Sequence, residues 1–454
     1  MFVDTVYKNR RRVLKHKTGS GLIWLQGNQE VGMNYHGNPF PYRQDSNFLY
    51  FTGLTAPGLH LLIDIDEDKE YLVGDDLTVD ASIWVGDLPL LSEHAENAGI
   101  KQIIPAKELP QRLKQAVLSG HHIHTLPPYH GYQSDAIREY IGPEHPDSME
   151  LIHAVIQLRS IKEDREIREM ENALTITAEL HRAVMQACDA GRTEQEIYAR
   201  AMEIVLKEGG RLAYNAIMTV HGQTLHINTY QNQLKEGQLL LCDMGAENQM
   251  HYASDITRTT PVNRIFTTRQ KEIYQIVLDT LKESTRKIRP GVEFKEVHLS
   301  AAAIITDGLK DLGLLKGDTE EIVEKGAHAL FFPHGLGHML GLDVHDMEGL
   351  GETFVGYNSE TKRSETFGTS NLRLGRTLEK HHTITIEPGI YFIPQLFRKW
   401  KEERKHEEHI AYEKLTNWMD FGGIRIEDNV LVTADGHRVL GPHIPKEIDE
   451  ITSL

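Results

Sequence analysis

Residues 238–262 read QLLLCDMGAENQMHYASDITRTTPV. Two runs rich in apolar and β-branched residues, from Gln238 and from Ala253, flank the polar stretch AENQMHY, a pattern that predicts two strands joined by a hairpin turn. Each run holds one aspartate: Asp243 ends LLLCD and Asp255 opens DITRTTPV. A carboxylate in an otherwise apolar strand is costly unless it is paired or coordinates a metal. If the hairpin pairs as read, the two acids lie across its arms, and an acid pair held that close requires a shared proton or a cation. Cys242, one position from Asp243, alternates to the opposite face and reads as a core thiol.

The same grammar recurs near the carboxyl end. HTITIEPGIYFI from His382 and GGIRIEDNVLV from Gly422 are dense in β-branched residues, and Glu387 and Glu427 interrupt them as the aspartates interrupt the first pair. Between the two sets, FFPHGLGHMLGLDVHD supplies His334, His338 and His345. Its glycines make it a poor helix, so the spacing of the first two histidines is not the HExxH zinc signature. Carboxylates with one imidazole suit Mn, Co, Fe or Zn, and the lack of cysteine ligands argues against a structural zinc site. Four carboxylates carry about −4 of formal charge, which two divalent ions neutralise. The chemistry implied is hydrolysis of a carbonyl substrate.

Helices precede both strand sets. The segment from Glu163 to about Cys188 is long, charged and helical, and stops at Gly191. Thr193 with Glu196 forms a capping box for a helix that places Ile197, Ala201, Ile204 and Val205 on one face and ends at Gly209-Gly210. Ile273, Ile276, Val277 and Leu281 mark another helix, and the run KWKEERKHEEH reads as a solvated helix face. The amino-terminal stretch differs, with short strands LIWLQG from Leu22, LHLLIDI from Leu59 and EYLVG from Glu70, and a hairpin tip at Asp66 to Lys69. It reads as a small α/β unit, with the boundary near residues 150–165.

At 454 residues the chain is long enough for two or three domains. Lys plus Arg number 49 against 66 Asp plus Glu, and a net charge of −17 repels phosphate backbones and anionic lipid, which excludes nucleic acid as a first guess. Two cysteines cannot build a disulfide framework, so a reducing compartment, the cytoplasm by default, is expected. No signal peptide, membrane span or repeat is read.

With these motifs in place, the chain resembles the aminopeptidase P and prolidase branch of the pita-bread metallopeptidases, from PYRQDSNFLYFTG at Pro41 to the carboxyl end. The resemblance implies an α/β (α+β) architecture: a creatinase-like domain over residues 1–155, then a pita-bread catalytic domain of two pseudo-symmetric halves over 156–454. It implies that Asp243, Asp255, His338, Glu387 and Glu427 hold two divalent metal ions, manganese first, with Zn, Co or Fe as alternatives. It implies a hydroxide, activated by those ions, that attacks the bond between an N-terminal residue and a following proline. Glu387 would shuttle the proton, His226 (in HGQTLH), His334 and His345 would surround the scissile bond, and Arg425 would fix a ligand carboxylate. Proline-containing peptides are the implied substrate, and a homo-oligomer the implied assembly. NLRLGR resembles the prolidase stretch that binds a dipeptide's carboxylate, with Arg373 at the matching position, and the long link between Glu387 and Glu427 also looks like prolidase; PYRQDSNFLYFTG looks like bacterial aminopeptidase P. Both subclasses stay open. A metal-free pita-bread binding module is the reading from another class, and the presence of all five ligand types speaks against it. The aspartates are twelve positions apart, one more than the resemblance leads us to expect.

Overall fold

In the computed structural model, residues 1–143 and 145–454 are described, and they form two compact units, Met1–Arg159 and Ser160–Leu454. The first holds a mixed sheet of β1 (Leu22–Gln26), β2 (His60–Asp64), β3 (Lys69–Gly74), β4 (Gln102–Pro105) and β5 (Ile123–His124), in the order β4-β3-β2-β1-β5. The hairpin β2/β3 closes through Asp68, whose φ of 52° puts it in the left-handed region. Alternate residues of these strands, Leu22, Trp24, Leu62, Val73 and Ile104, build a core with Leu109 and Leu113 from the neighbouring helix Leu109–Leu118.

The second unit repeats one theme twice. The helix Asp164–Ala187 packs on Glu194–Lys207, and Thr193 caps the latter by accepting from the Glu196 amide, as the capping box requires. After β6 (Arg211–Leu212) and β7 (Ile217–Thr219) comes the hairpin of β8 (Leu239–Asp243), β9 (Ala246–Glu247) and β10 (Thr257–Pro261). Helices Thr268–Lys287 and Phe294–Asp311 then form a second packed pair. A second hairpin follows, in which β11 (Thr383–Ile386) and β12 (Gly389–Tyr391) face β13 (Gly423–Arg425) and β14 (Asp428–Val432), with β15 (His437–Val439) beside β14. Helix pair and hairpin, then helix pair and hairpin, is the two-halved arrangement expected of a pita-bread fold. Among the described residues no helix is long and apolar enough to cross a membrane.

Two local expectations need correction. The regular strand starts at Thr257 rather than at Ala253, because β9 sits inside the stretch read as a turn and pairs with β6. The run KWKEERKHEEH is helical only to Glu402, since Arg404 and His406 take φ values of 52°, and Trp400 and His409 are buried rather than solvated. Cys242 lies in the core with Cys188, as alternation predicts.

Candidate metal centre

Register places the first two acids. Asp243 stands opposite Thr257, and the bridge from Glu247 to Ala253 continues the same alignment, so Asp255 faces Gly245 and lies two residues from Thr257 on the same face as Asp243. The twelve-residue spacing therefore leaves both carboxylates on one face, as diagonal neighbours. Gly245 has no room for a side chain, because a Cβ there would come 1.8 Å from the Ser254 carbonyl oxygen.

The second hairpin places the glutamates. Ile386 opposite Asp428 and Gly389 opposite Arg425 share one alignment, which sets Glu387 directly opposite Glu427. Facing like charges destabilise a sheet unless something positive sits between them. The two hairpins join where the Glu427 amide donates to the Thr257 carbonyl at 3.0 Å and the Thr257 hydroxyl donates to Glu427 Oε2 at 2.8 Å. The histidine segment lies along β11: Thr385 N–H donates to the His338 carbonyl and Glu387 N–H to that of Leu336. A Cβ on Gly337 would fall 2.0 Å from the Thr385 carbonyl, so glycine is what lets this segment approach.

His338 Nδ1 lies 2.9 Å from the Met339 carbonyl, which can only accept, so Nδ1 carries the proton and Nε2 turns to the acids, 3.3 Å from Asp255 and 3.6 Å from Glu387. Burial opposes its charging, but Asp255 and Glu387 outweigh that and lift its pKa to about 9. Burial, and then Asp255 and Asp243, push Glu387 up to about 7 against the pull of His338 and Arg425. Burial followed by the neighbouring acids raises Asp255 and Glu427 as well. Glu427 Oε1 is buried with no hydrogen-bond partner among the described residues. Ligand atoms of Asp255, His338 and Glu427 lie within 4.8 Å of one another. An orphaned carboxylate oxygen, mutually raised acids and one imidazole with its other nitrogen fixed are what a site for hard or borderline divalent cations looks like before the charge is supplied.

Two tyrosines not singled out from the sequence, Tyr214 and Tyr391, complete the surroundings. The Tyr214 hydroxyl lies 2.5 Å from one oxygen of Asp243 and 2.5 Å from one of Asp255, serving two carboxylates with a single proton. Arg425 donates to Asp243 Oδ2 at 2.6 Å and to the Tyr391 hydroxyl at 2.8 Å, so the carboxylate it fixes belongs to Asp243. Tyr391 in turn reaches His334 Nε2 at 2.8 Å, while His334 Nδ1 donates to the Gly335 carbonyl. His334 is thus a neutral imidazole with both nitrogens engaged, and burial, then Arg425, takes its pKa to about 3. Nothing in the spacing of RLAYNAIMT marks Tyr214, and Tyr391 reads there as a strand aromatic.

Tyr214, His334 and Arg425 line a cavity of about 540 Å³, in the range of small-molecule sites. His226, His334, His338, His345, Asp243, Asp255, Glu387, Glu427, Arg373 and Arg425 all border it. The rings of His345 and His338 meet edge-on with centroids 4.4 Å apart, and burial and His338 push His345 down to about 2, so it stays neutral. His226 is exposed at the mouth, with burial, then Arg425, lowering its pKa. Arg373 pairs with Glu348, with Glu352 3.9 Å away, and Arg363 bonds Glu352. Ile217, Leu225 and Ile227 give the wall an apolar stretch.

Comparison with known proteins agrees with this geometry. The family description Metallopeptidase family M24 matches residues 168–434, and Aminopeptidase P, N-terminal domain, matches residues 6–124. A probable Xaa-Pro aminopeptidase of Pyrenophora tritici-repentis is 34% identical over 440 residues, spanning 96% of this chain and 92% of the relative. Among solved structures, Escherichia coli aminopeptidase P in a low-pH form superposes with a TM-score of 0.83 at 29% identity, covering 100% of this chain and 98% of that one. The zinc-substituted form of that protein in complex with product gives 0.82 at the same identity and coverage.

Proposed function

The chain belongs to metallopeptidase family M24 and carries the aminopeptidase P amino-terminal domain, and from that premise we propose how its residues divide the work of an Xaa-Pro aminopeptidase. It is a metal-dependent hydrolase acting on peptides. In this reading Asp243, Asp255, His338, Glu387 and Glu427 hold two divalent ions, with Mn²⁺ the preferred occupant. The observation that carries it is the convergence of four carboxylates and one imidazole on a cavity wall, with Glu427 Oε1 left without a partner.

Bound divalent ions lower the pKa of water and polarise a carbonyl oxygen. Glu387, whose carboxylate borders the cavity beside Asp255 and His338, would take a proton from a nucleophilic water and pass it to the departing proline nitrogen. Neutral His345 donates to the developing oxyanion, and exposed His226 orients the substrate carbonyl from the mouth. His334, engaged at both nitrogens, acts through Tyr391 and Arg425 to fix Asp243. The imide bond before proline lacks an N–H, and a site that acts on the carbonyl through cation and carboxylate chemistry needs no hydrogen bond from that nitrogen. The Xaa-Pro aminopeptidase relatives favour this subclass over a strict dipeptidase, and the complete ligand set disfavours a metal-free binding module. A reducing cytoplasmic setting, supported by two buried free thiols, and a homo-oligomer belong to the same proposal.

The test compares release of the first residue from an Xaa-Pro dipeptide and an Xaa-Pro-Xaa tripeptide, with Mn²⁺ and after chelation. Mn²⁺-dependent cleavage of the tripeptide supports the reading. Cleavage confined to the dipeptide replaces it with a prolidase, and turnover that survives chelation or His338→Ala overturns the metal assignment.

A further inference from the structure

A second group of metal-ligating side chains lies in the amino-terminal unit, and the peptidase reading does not use it. His122 and His124 are two residues apart at β5, so they share one face of the strand, and their rings meet edge-on with centroids 4.4 Å apart. Glu150, in the first turn of the helix Met149–Ser160, faces them, and ligand atoms of His122, His124 and Glu150 lie within 4.8 Å of one another.

The hydrogen bonds around His124 make its Nδ1 the acceptor nitrogen, on the side of Ser148 and Glu150. Its Nε2 is 2.8 Å from the Ser20 carbonyl, which only accepts, so Nε2 carries the proton and Nδ1 does not. Ser148 Oγ sits 2.6 Å from that Nδ1 and 3.1 Å from Glu150 Oε2, so one hydroxyl proton is shared between two acceptors. A cation between imidazole and carboxylate would satisfy both. His145 repeats the pattern: the Ile123 carbonyl accepts from its ring, and its Nε2 is buried with no hydrogen-bond partner among the described residues. Burial lowers the pKa of His124 and of His145, which favours the neutral imidazole that ligates a metal. A ligating imidazole whose other nitrogen donates to a backbone carbonyl is the usual support for a metal-bound histidine.

We propose that His122, His124 and Glu150, with His145 beside them, form a transition-metal site in the amino-terminal unit that takes a borderline divalent ion such as Zn²⁺ or Ni²⁺. Two imidazoles and one carboxylate, with a third imidazole nearby, fit such ions and disfavour Ca²⁺ and Mg²⁺, which take oxygen ligands. Bonds of ~2.0–2.1 Å to zinc put neighbouring ligand atoms about 3.4 Å apart, and rotation of the exposed His122 and Glu150 side chains closes the remaining gap onto the fixed His124. Bound metal would tie the edge strand β5 to the start of the helix at Met149, a bracing role in this unit rather than a catalytic one.

The test titrates metal-stripped full-length protein with Ni²⁺ by calorimetry, beside the double variant His122→Ala/Glu150→Gln. Both positions are exposed, so folding is retained, and circular dichroism checks it. The expected result is one fewer Ni²⁺ bound per chain in the double variant, with Mn²⁺-supported peptidase activity unchanged. His338→Ala should remove a different class of sites and keep this one. Equal Ni²⁺ stoichiometry in wild type and double variant would overturn the proposal, whatever the fate of the peptidase reading.

Discussion

Replacing Lys162 with methionine tests how the histidine segment is held. Lys162 Nζ lies 2.8 Å from Asp346 Oδ2, and each side chain is only 1% exposed. Asp346 is the neighbour of His345, its amide donates to the Met339 carbonyl, and its Oδ1 accepts from the Asp343 amide, so the pair pins the stretch between His338 and His345. Removing one partner of a buried ion pair takes that partner's compensation from the other charge, at a cost of ~3–5 kcal/mol. The unit that contains it spans Ser160–Leu454, about 300 residues, for which an unfolding entropy of about 0.6 kcal/mol/K converts that loss into ~5–8 °C of Tm. A shift of about 1 Å in His345 would also lower kcat by ~100-fold. Calorimetry on the full chain and kcat under saturating Mn²⁺ provide the readouts. The double variant Lys162→Met/Asp346→Leu removes both charges and should recover most of the Tm while leaving kcat low. A Tm loss below about 2 °C for Lys162→Met, or a double variant that loses the sum of both single effects, would refute the reasoning.

Three further outcomes follow from the same geometry. Burial takes His181 and His328 to about 4 and His298 and His382 to about 3, whereas in the unfolded chain each titrates near ~6.5. The unfolded state therefore binds more protons below that value, so stability holds above pH 6.5 and falls as the pH drops, by about 1.4 kcal/mol per pH unit for each histidine; denaturant melts at pH 6, 5.5 and 5 should give a slope that His328→Leu flattens by one such share. Chelation should lower Tm and Mn²⁺ at ~100 times its Kd should restore about 2.7 kcal/mol, a gain that differential scanning fluorimetry should find much reduced in Glu427→Gln. Arg373→Ala should raise KM for an Xaa-Pro dipeptide by ~10–100-fold with little change in kcat, through loss of a charge-assisted bond to the terminal carboxylate, and should affect a tripeptide less; equal effects on both would remove Arg373 from carboxylate recognition.

Much of the site was legible in the linear order because a charge inside an apolar strand stands out against its surroundings. Asp243, Asp255, Glu387 and Glu427 each end or interrupt an apolar or β-branched run, and a chain has no reason to place four such acids in or beside buried strands unless a cation meets them. Periodicity likewise marks the helix after Thr193, and the recurrence of helices followed by a hairpin marks the two halves. Sequence alone could not set the register that makes Glu387 face Glu427 and turns the twelve-residue spacing into a diagonal pair on one face, since pairing depends on where β9 interrupts the first turn. Nor could it find Tyr214 between two aspartates, the relay from His334 through Tyr391 and Arg425 to Asp243, or Lys162 beneath Asp346. Those partners are 29 to 184 residues apart, and only tertiary packing decides which hydroxyl or cation meets which carboxylate. The local pattern marked the candidate residues that meet at the cavity; long-range packing determined their partners and aim, because burial and proximity are properties of the folded chain alone.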